Sequence, residues 1–217
     1  MAKSRPKIIL SAAMSIDGKI STITGDSKLS SKNDLRRLHK LRSRVDAILI
    51  GKKTVKIDDP VLTVRYVKGK NPIRIILDPL GSISSKYRII KTAKQIPTIF
   101  VCTNKITSKN QKSLEKNSID VIKMGSEINL KKLLLMLSQK NIWTILLEGG
   151  GLTNWEFLRQ NLIGEIHLTI TPYLIGGRDS VSLIGGAGFS RISNSPKFGL
   201  KKVRRLEDEL ILQYTKL

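Results

Sequence analysis

The sequence predicts an α/β fold: a central, mostly parallel mixed sheet flanked by helices, closing on antiparallel strands at the carboxyl end. Three observations carry this reading. Up to about residue 158, short apolar runs of strand length alternate with longer segments of helical period, the pattern of βα units laid around a parallel sheet. The run Trp143-Thr-Ile-Leu-Leu-Glu148 passes into Gly149-Gly150-Gly151 and then into Leu152-Thr-Asn-Trp155-Glu-Phe-Leu158, a strand, a glycine turn and a helix start. From Glu165 onward strands follow one another, which a mixed sheet accommodates at an antiparallel end.

The elements follow in order. Lys7-Ile-Ile-Leu-Ser-Ala-Ala13 reads as the first strand. Ser31-Lys-Asn-Asp34 resembles a capping box, and Leu35, Leu38, Leu41 and Val45 then trace a drifting apolar helix face. Asp46-Ala-Ile-Leu-Ile50-Gly51 is a buried strand. Further strands are expected at Ile73–Asp78, Thr98–Cys102, Asp120–Lys123 and Trp143–Glu148, with helices at Ser108–Asn117 and Leu130–Lys140. The tail supplies strands at Glu165–Thr171, Leu200–Leu206 and Glu209–Leu217, the last two joined by a short polar turn. Gly176–Gly188 is expected as a long loop. With no internal repeat and no separating linker, residues 1–217 read as a single domain.

Composition narrows the class. The chain of 217 residues is long enough to bury a substantial core. Its single cysteine, Cys102, excludes an internal disulfide framework, agrees with a reducing cytoplasm and suits a core strand position. The leading Met-Ala-Lys-Ser-Arg-Pro shows no cleavable signal pattern, and the apolar helical patch Leu133–Leu137 is far too short to span a bilayer. The net charge of +22 invites a nucleic-acid reading. Its distribution argues otherwise, because lysines are spread along the chain with small knots at Lys52-Lys53, Lys131-Lys132 and Lys201-Lys202-Val-Arg204-Arg205, and few aromatics lie among them as stacking platforms. A solvated basic surface that attracts phosphorylated small molecules is expected instead.

Chemistry is sought at the turns. Two histidines and one cysteine form no familiar zinc set, so no metal is expected. His39, beside Leu38 and Leu41, and His167, in an alternating strand, read as structural, and the nucleophile-elbow pattern is missing. Met14-Ser-Ile-Asp17-Gly18-Lys19 and Gly51-Lys-Lys-Thr54-Val-Lys-Ile-Asp58-Asp59-Pro60-Val-Leu62-Thr-Val-Arg65 each follow a predicted strand, where α/β sheets build ligand sites. By themselves Asp17 and Asp59 read as turn residues. Thr54 and Asp58, four apart, share one face of a helical turn. Arg42 and Arg65 are candidate phosphate clamps, since guanidinium meets phosphate oxygens bidentately. The Gly149–Gly151 turn reads equally as a tight connection or as an anion site at a helix start.

Together these pieces form an ordered series. Ala13-Met-Ser-Ile-Asp-Gly-Lys19, Gly25-Asp-Ser27, His39-Lys-Leu-Arg42, Asp46–Gly51, Thr54 with Asp58-Asp-Pro60, Leu62-Thr-Val-Arg65, Pro72–Asp78, Leu147–Gly151 and Thr171–Gly177 resemble, in order and spacing, the riboflavin-biosynthesis reductase family over nearly the whole chain. The resemblance implies a dihydrofolate-reductase-like fold, a homodimer, and NADPH-dependent reduction of a ribosylaminopyrimidine 5′-phosphate to its ribitylamino form, with hydride delivered to C1′. Bacterial members carry the module behind a zinc deaminase. Starting at the reductase strand without deaminase cysteines, this chain resembles the free-standing archaeal or fungal type, which acts on 2,5-diamino-6-ribosylamino-4(3H)-pyrimidinone 5′-phosphate. The alternatives are another reductase of this fold acting on a pterin or pyrimidine, against which Arg42 and Arg65 speak, and a basic nucleic-acid-binding module.

Carried over position by position, the resemblance assigns Thr54, Asp58 and Gly150-Gly151-Leu152-Thr153 to NADPH, with Ala13 and Pro79-Leu80-Gly81-Ser82 added. NADH is an alternative donor, and Lys105 is the candidate cation for the 2′-phosphate that would favour NADPH. Ser27, Arg42, Leu62, Arg65 and Glu148 fall on the substrate side. Asp58 and Glu148 are the candidate catalytic groups, orienting or relaying the proton. The chain departs from some members at Leu29, where an aromatic can stand, and at Ser11, which can be asparagine.

Overall fold

A computed structural model describes residues 5–217; Met1–Ser4, part of the stretch read for a signal pattern, lies outside the described residues. In chain order the first elements are β1 (Lys7–Met14), β2 (Lys19–Ser21), α1 (Lys32–Arg42), β3 (Ala47–Gly51), α2 (Lys52–Asp58), β4 (Ile73–Leu77), α3 (Arg88–Lys91), β5 (Thr98–Cys102) and α4 (Ser108–Lys116). There follow β6 (Asp120–Lys123), α5 (Leu130–Gln139), β7 (Thr144–Leu147), α6 (Gly151–Arg159), β8 (Ile163–Ile170), β9 (Val181–Ser182), β10 (Phe198–Leu206) and β11 (Glu209–Lys216). The residues gather into two compact units, the first built on His39–Ile145 and the second on Lys7–Leu38 with Leu146–Leu217.

In the first unit β3, β4, β5 and β6 are parallel neighbours in that order, with Ala47 opposite Ile73 and Arg74 opposite Thr98. Every residue of β3 and β5 is buried, which is why these strands read as continuous apolar runs without alternation. Helix α5 buries Leu130, Leu133, Leu134 and Leu137, and the Asn129 side chain caps it by accepting from the Lys132 N–H. At the strand starts the Asp46 carboxylate accepts from the Trp143 and Thr144 N–H groups and from the Thr144 hydroxyl, at 2.8–2.9 Å. Arg74 on β4 is fully buried. Its guanidinium donates to Thr98 Oγ1, Thr92 Oγ1 and the carbonyls of Val61, Ile89 and Ile96. Burial lowers its pKa to about 10, so it stays charged at neutral pH.

In the second unit β1 and β8 are parallel, while β11 joins β8 and β10 joins β11 in antiparallel fashion, the mixed closing end that the sequence predicts. Helix α1 is capped as expected by Ser31, whose Oγ accepts from the Asp34 N–H at 3.1 Å. The return half of the capping box differs. Asp34 bonds Arg37 and Thr169, and Glu209 of β11 takes the Ser31 N–H and hydroxyl at 2.8 Å each. A tertiary carboxylate has replaced the local one. His167 and Lys7 both meet Glu165, a structural arrangement in keeping with the expectation for this histidine.

The basic knot on β10 is sorted by a bulge between Leu200 and Lys202, where the register shifts. Leu200 and Val203 fall opposite Tyr214 and Leu212, on the face that also carries Leu210 and Arg205, whereas Lys202 and Arg204 fall on the other. Differences from the sequence reading are local. α1 stops at Arg42, so Val45 lies beyond it; β8 begins at Ile163; α3, β2 and β9 are extra. The last two are strands of two or three residues, too short to show a period. Among the described residues no helix is long and apolar enough to cross a membrane, and no cluster of metal-ligating side chains occurs.

Candidate active site

In the second unit, buried Leu146 and Leu147 end β7, and half-buried Glu148 follows at once. Gly150 sits at φ 70° and ψ 149°, a backbone conformation open to glycine, and precedes α6 as its N-cap with no side-chain cap. The first N–H groups of a helix have no intrahelical acceptor, so the start of α6 offers donors and the positive end of a dipole. Gly151 is needed for a different reason. A Cβ there would stand 2.5 Å from the Ser182 carbonyl oxygen and 3.2 Å from Gly185 N. Leu152 is exposed and Thr153 half-buried. Ala13 lies at the end of β1 opposite Thr169, and Ser27 on the exposed approach to α1.

In the first unit α2 leaves β3 directly. Val55 anchors it in the core, Thr54 is half-buried and Asp58 exposed, the i, i+4 arrangement expected. The chain reverses at Asp59, at φ 40°, whose carboxylate accepts from the Arg88 N–H at 2.7 Å. Asp59 is thus the turn residue its sequence suggests.

Leu62 is unusual: it is 3% exposed yet holds φ 55°, a left-handed conformation costly for a bulky side chain. The surrounding bonds over-determine it. Val61 O accepts from Arg74 Nη1 at 3.1 Å, Thr63 O from Arg42 Nη1 at 3.2 Å, Asn71 Oδ1 from Val64 N at 2.8 Å and His39 Nδ1 from Arg65 N at 2.9 Å. Strain that is held in this way marks functional segments more often than idle ones. Leu62 and Arg65 therefore lie on one backbone stretch that Arg42, at the end of α1, braces through Thr63 O; Arg42 is buried and Arg65 exposed. An Nδ1 that accepts is unprotonated, so His39 carries its proton on Nε2; its ring meets Tyr66 edge to face at 4.7 Å. His39 thus holds the Arg65 backbone in place.

The Pro79–Ser82 turn is organised by a residue absent from the expected site. The fully buried Asp78 carboxylate accepts from the N–H groups of Leu80, Ser82 and Ile83 at 3.3, 2.6 and 3.0 Å. Lys52, in the first turn of α2, pairs with Asp78 at 3.3 Å and also bonds the Ser82 hydroxyl. Gly81 at φ 56° leaves no room for a side chain, since a Cβ would approach Ile106 to 2.6 Å. Thr103 Oγ1 donates to Pro79 O at 2.8 Å, which sets exposed Lys105, two residues on, beside this turn. Cys102 is buried, and burial with the neighbouring Asp78 charge pushes its thiol up to about 12, so it is an inert core residue.

Asp78, Arg74 and His39 are the residues that motif reading left outside the site. A charged residue inside a buried apolar strand, such as Arg74, and a carboxylate at a buried strand end, such as Asp78, are visible in sequence as anomalies. Their partners are not.

Known proteins resemble this chain in sequence and in fold. Over 214 residues the chain is 36% identical to a protein of Methanothermobacter thermautotrophicus named 2,5-diamino-6-ribosylamino-4(3H)-pyrimidinone 5′-phosphate reductase, covering 97% of this chain and 98% of that one. A protein of the same name from Aquifex aeolicus is 35% identical over 196 residues, covering 88% and 87%. Among solved structures, Acinetobacter baumannii RibD superposes with a TM-score of 0.84 at 24% identity, covering 98% of this chain and 58% of that longer one. The dihydrofolate reductase of Enterococcus faecalis superposes at 0.58 with 12% identity, covering 98% of each, so the fold is dihydrofolate-reductase-like. The RibD C-terminal domain profile matches residues 6–212, and the chain belongs to that family.

Proposed function

We propose that the protein is the NADPH-dependent reductase of 2,5-diamino-6-ribosylamino-4(3H)-pyrimidinone 5′-phosphate in riboflavin biosynthesis, residues 1–217 acting as one reductase module in the cytoplasm. The single observation that carries this is full-length identity of 36% to a protein bearing that name; Leu62 and Arg65 on a strained stretch that Arg42 braces are in keeping with it. The cofactor fit rests on the uncapped start of α6 beside Gly150, which presents backbone N–H groups to an anion. Gly150–Thr153, Thr54, Asp58, Ala13 and Pro79–Ser82 hold NADPH in this reading, and Lys105 favours its 2′-phosphate over NADH. When bound, NADPH supplies the hydride. Arg42 and Arg65 take the 5′-phosphate, Ser27 and Leu62 bound the pyrimidine side, and Asp58 or Glu148 orients or relays the proton that ring opening requires.

The test is turnover with C4-deuterated NADPH and the diaminopyrimidine ribosyl phosphate, read by mass. Deuterium at C1′ of a ribityl product is expected; no transfer rejects the assignment. Arg65→Ala should raise KM for the phosphate substrate and spare that for NADPH, and Asp58→Asn with undiminished turnover removes Asp58 from proton transfer. A homodimer is proposed as the working assembly, supported by the exposed apolar side chains of Leu200, Val203 and Leu210 on one sheet face. Sedimentation equilibrium tests it, and a monomer at assay concentration rejects it.

A further inference from the structure

The loop expected between Gly176 and Gly188 contains β9, which pairs with β2 and is held from two sides. On one side stand four consecutive residues. Ile16 N donates to Tyr173 O at 2.8 Å, the Asp17 carboxylate accepts from Ile175 N at 3.1 Å and Gly176 N at 2.7 Å, and Gly18 O accepts from Leu183 N at 3.0 Å. Lys19 Nζ donates to Ser182 Oγ at 3.2 Å and Ser180 O at 3.4 Å. On the other side the same segment meets the glycine turn. Gly185 N donates to Gly151 O at 2.9 Å, Asn154 Nδ2 to Leu183 O at 2.8 Å, and the Ser182 carbonyl occupies the space that a Gly151 side chain would need.

We propose that Asp17 and Lys19 are positioning residues for the glycine turn, acting through Tyr173–Gly185, which they fasten against Gly151 and Asn154. The inference rests on the reading of Gly150–Thr153 as the NADPH turn and adds to it the device that holds the turn in place. Neither Asp17 nor Lys19 is buried in the core; Asp17 is exposed and Lys19 half-buried, so their worth lies in the bonds they make. An anion gains most from N–H donors whose direction is set before it arrives, because ordering them on binding would cost affinity. The Ser15 hydroxyl, 2.6 Å from Asp17, and the two backbone N–H groups keep the carboxylate ionised down to about pH 2. The clamp is therefore permanent across physiological pH.

The experiment uses Asp17→Asn and Lys19→Met in the full chain, with Glu165→Gln as a control in the same unit whose ion pair lies elsewhere. Titration calorimetry with NADPH should show Kd raised about tenfold in the first two, with KM for the ribosyl phosphate within about twofold of the unsubstituted protein. Amide exchange at Leu183 and Gly185 should accelerate in both, and the control should change neither reading. Unchanged NADPH affinity overturns the proposal, and so does an equal loss for both ligands, which is what general loosening produces. Exchange needs no ligand, so its failure to accelerate overturns the clamp by itself. Absence of NADPH binding in the unsubstituted protein is a different result, and rejects the functional reading.

Discussion

Gly151→Ala offers a sharp test of why the turn is glycine-rich, because two effects oppose each other there. Gly151 is helical, and alanine is favoured over glycine inside a helix by about 0.5–1 kcal/mol. Against this, the new methyl group would lie 2.5 Å from the Ser182 carbonyl oxygen. Restoring an ordinary contact requires the Ser182–Gly185 segment to retreat by roughly 0.9 Å. That stretches the Gly185 N–H to Gly151 O bond of 2.9 Å beyond hydrogen-bonding range, forfeiting about 1 kcal/mol. Overpacking against backbone adds about 1–3 kcal/mol. The clash wins, for a net loss of about 1–3 kcal/mol and a Tm lower by roughly 3–9 °C in a chain of this size. Thermal and urea melts measure it, with Gly164→Ala as the control, since a Cβ there meets nothing closer than 3.6 Å. A Gly151→Ala protein as stable as the unsubstituted one would refute the reasoning.

Four further outcomes are expected. Arg74→Met leaves the carbonyls of Val61 and Ile89 without this donor, while Ile96 keeps the Thr98 hydroxyl, and should cost roughly 3–5 kcal/mol in urea melts; a loss below about 1 kcal/mol contradicts the brace assigned to it. Asp78→Asn exchanges a double acceptor for an amide facing the Ser82 and Ile83 N–H groups, so stability should fall by about 2–4 kcal/mol with weaker NADPH binding, and retention of both by calorimetry counts against it. Ser11→Ala removes a buried hydroxyl with no partner among the described residues, so Tm should hold or rise; a fall beyond about 3 °C reveals a missed bond. Acid unfolding should show the carboxylates: Asp17 is lowered from 3.8 to about 2, while at Asp46 and Glu165 burial raises the pKa but hydrogen bonds, with the Lys7 charge at Glu165, outweigh it. Folded pKa values below unfolded ones give stability that is complete above the unfolded values of 3.8 and 4.5 and drains away toward pH 2, and a melt flat across that window excludes the linkage.

The strands that were easiest to read are those whose burial is two-sided. Thr98–Cys102, buried throughout, has the bounds that its apolar run suggests, because hydrophobic length alone terminates it. The bounds that moved are those set by partners distant in sequence. Ile163 and Gly164 join β8 because β1 lies alongside, and Phe198 and Gly199 join β10 because Lys216 and Thr215 stand opposite. At the candidate site, Thr54 with Asp58 and the Gly150-Gly151 pair were legible as spacing and as glycine chemistry. Leu62 was legible only through the family resemblance, since nothing about a leucine announces a left-handed backbone.

The sequence by itself determined the alternation of strands and helices, the antiparallel close and the family, because periodicity, turn chemistry and ordered motifs are local properties of the chain. Tertiary structure alone decided what each polar residue is for. Asp17 and Asp59 look alike in sequence, as turn carboxylates, yet one holds Ile175 and Gly176 while the other holds Arg88. Asp78 and Arg74 become organisers only when Lys52, Ser82, Thr92 and Thr98 are brought to them. A charge reveals its role through its partner, and the partner is chosen by folding.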